Sequence, residues 1–128
     1  MIVALGGIFI YSENPKRLAE WYEKSLGLNY EYTEQSTAYY ITFPYRETDS
    51  DHLRYTIFSI LYNENRPLIS DKSFTINLRV NNLEEMVEKL KSLKIEVLGI
   101  ENHDEGKFAW VNDPEGNYIE LWEDSAKA

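Results

Sequence analysis

The amino-acid sequence predicts an α+β domain built from two βαβββ modules. Three observations predict it: the chain repeats one pattern at a distance of 68 residues, each copy holds an amphipathic helix, and strand-like segments separated by turn residues follow each helix. A hydrophobic share of 43% in a chain of 128 residues is enough to bury the core of one domain. We expect a curved mixed sheet around a cavity, with the helices on its outer face.

The repeat is clearest where a strand leads into a helix. Residues 8–14 (Ile-Phe-Ile-Tyr-Ser-Glu-Asn) align with residues 76–82 (Ile-Asn-Leu-Arg-Val-Asn-Asn), and both segments are strand-like and end at Asn. Asn caps helices by accepting a backbone N–H of the first turn. Pro15 suits the first helical position, where a backbone N–H is not needed. Each copy therefore predicts a strand, a cap and a helix.

The remaining elements follow from hydrophobic periodicity and turn residues. The first helix is predicted over about 15–25, and the second carries apolar residues at spacings of three and four: Leu83, Met86, Val87, Leu90 and Leu93. The further strands are predicted at about 28–33, 37–44 and 53–62 in the first copy, and at 95–100, 107–111 and 117–122 in the second. Within one domain of residues 1–128, module one spans about 1–63, a linker about 63–71 and module two about 72–123, with a polar loop at 45–52.

Strand alternation separates the residues that face the helices from those that face the cavity. Successive side chains of a strand point to opposite faces, so Ile8 and Ile10 lie opposite Phe9 and Tyr11. The aliphatic faces are expected to take the helices, and the aromatic and polar faces are expected to line a pocket. That pocket is predicted to contain Phe9, Tyr11, Tyr55, Thr75, Asn77, Arg79, Trp110, Tyr118, Glu120 and Trp122.

Composition excludes several classes of function. The absence of cysteine removes disulfides, thiol catalysis and thiolate metal sites, and only His52 and His103 could offer imidazole ligands. A net charge of −9 argues against a nucleic-acid partner and permits a cationic ligand. No apolar run approaches the length of a membrane-spanning helix, and the first residues lack the basic region of a secretory signal. We therefore expect a cytoplasmic protein that does not bind membranes.

Three segments resemble the glyoxalase, bleomycin-resistance and extradiol-dioxygenase superfamily. They are residues 14–28, residues 74–93 and the segment 113–121, Asp-Pro-Glu-Gly-Asn-Tyr-Ile-Glu-Leu. The last is the most specific, because Pro114 fixes φ and Gly116 permits a positive φ in a tight turn that leads into a strand. The resemblance implies two βαβββ modules, four cavity-facing metal ligands that are usually His, Gln or Glu, and commonly a homodimer.

The ligand positions implied by this resemblance fall on Gly7, Ser59, Thr75 and Glu120. Of these, only Glu120 offers a good ligand, so we expect the metal site to be lost and Ser59 to join the pocket residues. A second place for a divalent metal is His103 with Asp104 or Glu105, in what is expected to be an acidic surface loop. No two-His, one-carboxylate set for a ring-cleaving dioxygenase is present in the sequence.

Three functions are compatible with these residues. We expect a protein that binds a small aromatic or cationic molecule without a catalytic metal, comparable to the drug-sequestering branch that the resemblance implies. The first alternative is a metal-dependent lyase or isomerase of the lactoylglutathione lyase type, in which Glu120 would move a proton. The second is a non-catalytic regulatory or interaction module. Arg79 is expected either to pair with Glu120 or to hold a ligand carboxylate.

Overall fold

The computed structural model describes residues 5, 7–34, 38–46, 53–62 and 74–125. The chain divides into two compact units, Met1–Ile69 and Ser70–Ala128, here called module one and module two. Module one consists of β1 (Gly7–Ser12), α1 (Pro15–Leu26), β2 (Glu31–Thr33), β3 (Ala38–Arg46) and β4 (Leu53–Tyr62). Module two consists of β5 (Thr75–Arg79), α2 (Leu83–Ser92), β6 (Gly99–His103), β7 (Gly106–Asn112) and β8 (Tyr118–Asp124). The predicted linker at 63–71 and residues 47–52 of the predicted polar loop lie outside the described residues.

Each module forms its own four-stranded mixed sheet. The strand order is β1-β4-β3-β2 in module one and β5-β8-β7-β6 in module two. In both sheets the first and last strands of the module are parallel neighbours, and the other pairs are antiparallel. The predicted α+β class and the two βαβββ modules are therefore confirmed. Neither α1 nor α2, nor any other helix in the described ranges, has the length and hydropathy needed to cross a membrane.

Helix α1 begins and ends where its residue types favour it. The Asn14 side-chain oxygen accepts the backbone N–H of Arg17 at 3.2 Å, and Pro15 occupies the first helical position. At the other end Gly27 adopts a left-handed φ of 74°, and the Leu28 N–H donates to the Tyr22 carbonyl at 3.3 Å. The predicted cap is confirmed, and the helix extends one residue beyond its predicted end.

The helices pack on the faces that strand alternation assigns to them. In module one the ring of Tyr22 on α1 meets that of Phe58 on β4 edge to face, with centroids 5.4 Å apart, and both residues are fully buried. In module two the buried residues are aliphatic and come from α2 and the strands beneath it: Ile76, Leu83, Leu90, Val111, Ile119 and Leu121. These buried sets confirm the predicted division of the strand faces.

Strand β6 differs from its prediction. It spans Gly99–His103 rather than residues 95–100. The residues that follow α2 are still hydrogen-bonded to the last turn of the helix and cannot yet join the sheet. Lys94 adopts a φ of 61°, and the Ile95 N–H donates to the Leu90 carbonyl at 2.9 Å. The ladder with β7 therefore begins only at Gly99. Three residues of the predicted acidic loop belong to β6, and the turn itself is limited to Asp104 and Glu105.

Candidate functional site

Most of the predicted site lies on the face of the module-two sheet opposite α2, which we call the open face of module two. It carries Thr75, Asn77 and Arg79 from β5, Phe108 and Trp110 from β7, and Tyr118, Glu120 and Trp122 from β8. The strand register places Asn77, Glu120 and Trp110 side by side, and the next row of the same face contains Arg79, Trp122 and Phe108. The structure thus brings seven of the predicted site residues together in one module.

The carboxylate of Glu120 lies at the centre of this face. Its Oε1 accepts a hydrogen bond from Asn77 Nδ2 at 2.7 Å, and its Oε2 accepts one from Trp110 Nε1 at 3.0 Å. Hydrogen bonds to an ionised group are stronger than neutral ones, so the two donors fix the orientation of the carboxylate. Because both donors are neutral, the negative charge of Glu120 has no cationic partner among these contacts.

Three aromatic rings lie beside Glu120 with their planes nearly parallel. The Phe108 and Trp122 centroids are 6.1 Å apart with an interplanar angle of 4°, and Phe108 and Trp110 are 6.2 Å apart at 12°. All three side chains are half-buried. The sequence interpretation missed Phe108, although strand alternation places it on the same face as Trp110, two residues away. These rings form a partly exposed aromatic cluster beside the carboxylate.

Arg79 does not pair with Glu120, which was one of its two expected roles. Its guanidinium carbon lies over the ring of Trp122, 5.3 Å from the centroid, in a cation–π arrangement. The Trp122 indole N–H in turn donates to the carbonyl of Glu105 at 3.0 Å. Trp122 is therefore held by the β6–β7 turn while its ring supports a positive charge.

The other four predicted residues lie on the face of the module-one sheet opposite α1. Phe9 is the ladder neighbour of Ser59, and Tyr11 and Tyr55 occupy positions of the same parity. Phe9 is 51% exposed and Tyr55 is 58% exposed, whereas Ser59 is buried. The structure therefore groups these four residues on one sheet face. That they share a single cavity with the open face of module two stays a prediction.

The strand registers identify which positions of the two modules are equivalent. Gly7 is the ladder partner of Ile57 in module one, and Thr75 is the partner of Tyr118 in module two. Ser59 lies two residues beyond Ile57, just as Glu120 lies two residues beyond Tyr118. Gly7 therefore corresponds to Thr75, and Ser59 corresponds to Glu120.

These four positions do not fit a divalent transition-metal ion. A Cβ added at Gly7 would lie 2.5 Å from Ile57 Cγ2 and 2.6 Å from the Ile57 carbonyl oxygen, so no ligand side chain fits there without a shift. Ser59 and Thr75 offer only hydroxyls, and both oxygens of Glu120 already accept hydrogen bonds. Within the described ranges, no three or more His, Asp or Glu side chains gather in a metal-binding group.

The second predicted metal location is arranged differently from the expectation. His103 Nε2 lies 2.8 Å from Glu101 Oε1, its neighbour on the same face of β6. The contact is with Glu101 rather than with Asp104 or Glu105, and all of these residues are exposed. His52, which was expected at the surface, lies outside the described residues.

The turn at residues 113–117 fixes the start of β8. Asp113 Oδ1 accepts the backbone N–H groups of Glu115 and Asn117, each at 2.8 Å, and Asp113 Oδ2 accepts Asn117 Nδ2 at 2.6 Å. Gly116 has a φ of 82°, as the predicted turn requires. These hydrogen bonds fix the start of β8 and hence the face on which Glu120 lies.

A separate groove of about 360 Å³ lies on the α2 side of the module-two sheet. Its apolar lining includes Leu83, Val87 and Ile100, with Glu84 and Lys107 at its edge. None of the predicted site residues lines it. The groove and Glu120 therefore lie on opposite faces of the same sheet.

Comparison with known protein families identifies the chain. The model of the Glyoxalase/Bleomycin resistance protein/Dioxygenase superfamily matches residues 4–121. The chain belongs to this superfamily. A search of curated proteins found no match.

Several solved structures share the fold. The antibiotic binding protein TnmS3 from Streptomyces sp. CB03234 superposes with a TM-score of 0.70 at 17% identity, covering 97% of this chain and 98% of TnmS3. A glyoxalase family protein from Bacillus anthracis gives a TM-score of 0.70 at 15% identity, with 98% of each chain covered. Lactoylglutathione lyase from Agrobacterium tumefaciens gives 0.66 at 12% identity, covering 95% of this chain and 94% of the lyase. At these identities the similarity establishes the fold alone.

Proposed function

We propose that this superfamily member binds a small aromatic or cationic molecule on the open face of module two, without a catalytic metal. The observation that carries the proposal is the arrangement of Glu120, whose carboxylate is fixed by Asn77 and Trp110 beside the parallel rings of Phe108 and Trp122. A fixed negative charge beside parallel, partly exposed aromatic rings is suited to planar and positively charged ligands.

The energies of the contacts that this face offers favour an aromatic ligand. Each well-placed aromatic contact contributes about 0.5–1.5 kcal/mol beyond the area it buries. A cation over an aromatic ring adds about 0.5–2 kcal/mol, with the larger values at sites removed from water. Trp110, Phe108 and Trp122 are half-buried, so a ligand can reach their rings and still be partly desolvated. Several such contacts together are sufficient for specific binding of a small molecule.

The residues at the family's metal positions support binding rather than metal-dependent chemistry. Gly7 has no space for a ligand side chain, and Ser59 and Thr75 are poor ligands for zinc, nickel or iron. One structural neighbour, TnmS3, is an antibiotic binding protein, which is the same class of function. We propose no step through a metal ion for this chain.

A matched pair of anthracene probes tests the proposal. 9-(Aminomethyl)anthracene carries a cationic group on a planar ring system and anthracene-9-carboxamide carries a neutral one, and both are detected by fluorescence anisotropy at wavelengths where tryptophan does not absorb. We expect saturable binding of at least one probe and about tenfold weaker binding to Trp110→Leu, which loses a stacking ring and a donor to Glu120. The control Trp21→Phe, on α1, should bind like the wild type. The proposal fails if neither these two probes nor the corresponding anthracene-9-carboxylate binds, or if both variants behave alike.

A second experiment separates binding from the lyase alternative. The hemithioacetal of methylglyoxal and glutathione is supplied as substrate in the presence of added Zn²⁺ or Ni²⁺. We expect no turnover above the metal-only control, because three of the four family ligand positions lack a good ligand. Metal-dependent turnover that disappears in Glu120→Gln would instead establish the lyase and overturn the proposal.

Thermal unfolding distinguishes a binder from a regulatory module whose cavity has lost its ligand. A molecule that binds only the folded protein stabilises it by about 2.7 kcal/mol at a concentration 100 times its Kd. We therefore expect the melting temperature to rise with probe concentration. An unchanged melting temperature across a broad panel of aromatic and cationic molecules would favour a regulatory or interaction role.

A further inference from the structure

Arg79 places a positive charge on the open face of module two. Its side chain is exposed, and its guanidinium lies over Trp122. Arg79 takes part in no ion pair within the part of the chain that the structure describes. The charge of this arginine is therefore available to a ligand.

The contact with Trp122 prepares the guanidinium to bind an acid. A guanidinium on an aromatic ring keeps its N–H donors, which lie in the plane of the group and match the two oxygens of a carboxylate. Contact with the ring also restricts the long side chain before a ligand arrives, so less conformational entropy is lost on binding. Trp122 is itself held by its hydrogen bond to the Glu105 carbonyl.

We infer that Arg79 determines specificity by binding an acidic group of the ligand, which makes the preferred ligand a planar aromatic molecule with a carboxylate attached to its ring system. This inference rests on the proposed function and narrows it. Arg79, Trp122 and Phe108 occupy one row of the open face, on β5, β8 and β7. Arg79 and Phe108 are therefore two strand spacings apart, roughly 10 Å. A ligand of two or three fused rings that carries a carboxylate spans that distance, with its rings at Phe108 and its acid at Arg79.

The charge of the whole protein opposes an anionic ligand, but local contacts decide the outcome. The net charge of −9 is spread over the chain, and at physiological salt charges separated by more than about 8 Å are largely screened. The carboxylate of Glu120 lies one row from Arg79 on the same face. It disfavours an acid near Asn77 and Trp110 and attracts a ligand amine there, so it orients a ligand whose acid lies at Arg79.

The test compares anthracene-9-carboxylate with anthracene-9-carboxamide, which differ in charge but hardly in shape. We expect the wild type to bind the carboxylate about tenfold more tightly than the carboxamide, since charge-assisted bidentate bonds are stronger than neutral ones. Arg79→Gln should abolish this preference, because it weakens binding of the carboxylate much more than binding of the carboxamide. Arg79→Lys should keep part of it, and the control Arg17→Gln, which removes an exposed arginine from α1, should keep all of it.

The outcomes separate this inference from the proposed function. Equal binding of the two probes to the wild type, or an unchanged preference in Arg79→Gln, overturns the role of Arg79 while binding to the aromatic face stands. Failure of carboxylate, carboxamide and aminomethyl probes alike overturns both. Circular dichroism of Arg79→Gln shows whether the variant is folded, and Arg79→Lys gives an independent measure if it is not.

Discussion

The two modules share their backbone arrangement but differ on the faces opposite their helices. Both sheets have the same strand order and the same pairing between first and last strands, so Gly7 corresponds to Thr75 and Ser59 to Glu120. Module two has a carboxylate with two fixed donors, whereas module one has a buried serine at the position that corresponds to Glu120. The comparison shows that two sheets with the same strand order and pairing can carry different side chains on the faces opposite their helices.

The modules also begin their helices differently. Helix α1 has Pro15 at its first position, which has no backbone N–H to satisfy. Helix α2 has Leu83 there, and its N–H donates to Oε1 of the buried Glu123 at 2.8 Å. The position in module one that corresponds to Glu123 is Tyr62, three residues beyond Ser59. The first helical position therefore leaves no unsatisfied N–H in either module, because module one has a proline there and module two supplies a buried carboxylate acceptor.

The largest loss of stability is expected when the aromatic core of module one is disrupted. Phe58→Ala removes a fully buried ring that contacts Tyr22 and Tyr30, and we expect it to lower the free energy of unfolding by about 3–5 kcal/mol. Phe9→Ala, on the opposite face of the same sheet and half exposed, should cost about 1 kcal/mol or less. Urea unfolding measures both. Equal losses would mean that the helix-facing residues are not the ones that stabilise the module.

A smaller loss of stability is expected when a side chain is added at Gly7. Gly7→Ala should cost about 1–3 kcal/mol, because the added Cβ would lie 2.5 Å from Ile57 Cγ2 and force the strands to shift. The matched control is Gly99→Ala on β6, where the nearest atom, on Trp110, is 3.5 Å away; we expect a change within about 0.5 kcal/mol. Thermal unfolding measures the difference. A harmless Gly7→Ala would mean that a ligand side chain fits at this position after all.

A loss of similar size is expected at the start of α2. Glu123→Ala leaves the Leu83 N–H without its buried acceptor, and we expect a loss of about 1–3 kcal/mol. Glu123→Gln retains an oxygen acceptor and should cost less. Tyr62→Phe at the corresponding position of module one should be nearly neutral, since Pro15 needs no acceptor. Chemical denaturation of the three variants checks this order, and a costly Tyr62→Phe would contradict the equivalence of the two positions.

Much of the fold was predictable from the sequence because its signals are local. The Asn caps, Pro15 and the alternation of Ile8, Phe9 and Ile10 each depend on neighbouring residues, and the structure confirms them. The start of β6 was predicted wrongly, since it depends on how the backbone leaves α2 at Lys94 and on a ladder with a distant strand. Long-range pairing of this kind leaves no periodic signal in the sequence.

The sequence predicted which sheet face carries the candidate site residues, but it did not predict which of their side chains contact one another. Strand parity placed Asn77, Trp110 and Glu120 on one face, and the structure agrees. The partner of Arg79 could not be derived, because parity places it beside both Glu120 and Trp122 and the choice depends on rotamers. The donors to Glu120 were not foreseen for the same reason.

The most direct test of the central claim uses the three tryptophan indole N–H signals in a ¹⁵N-correlated NMR spectrum. Trp110 and Trp122 lie on the open face of module two, and Trp21 lies on α1 of module one. On titration with an anthracene probe, we predict that the signals of Trp110 and Trp122 shift along one saturable curve while that of Trp21 stays in place. Saturable binding that moves Trp21 and leaves Trp110 and Trp122 unchanged would contradict the account.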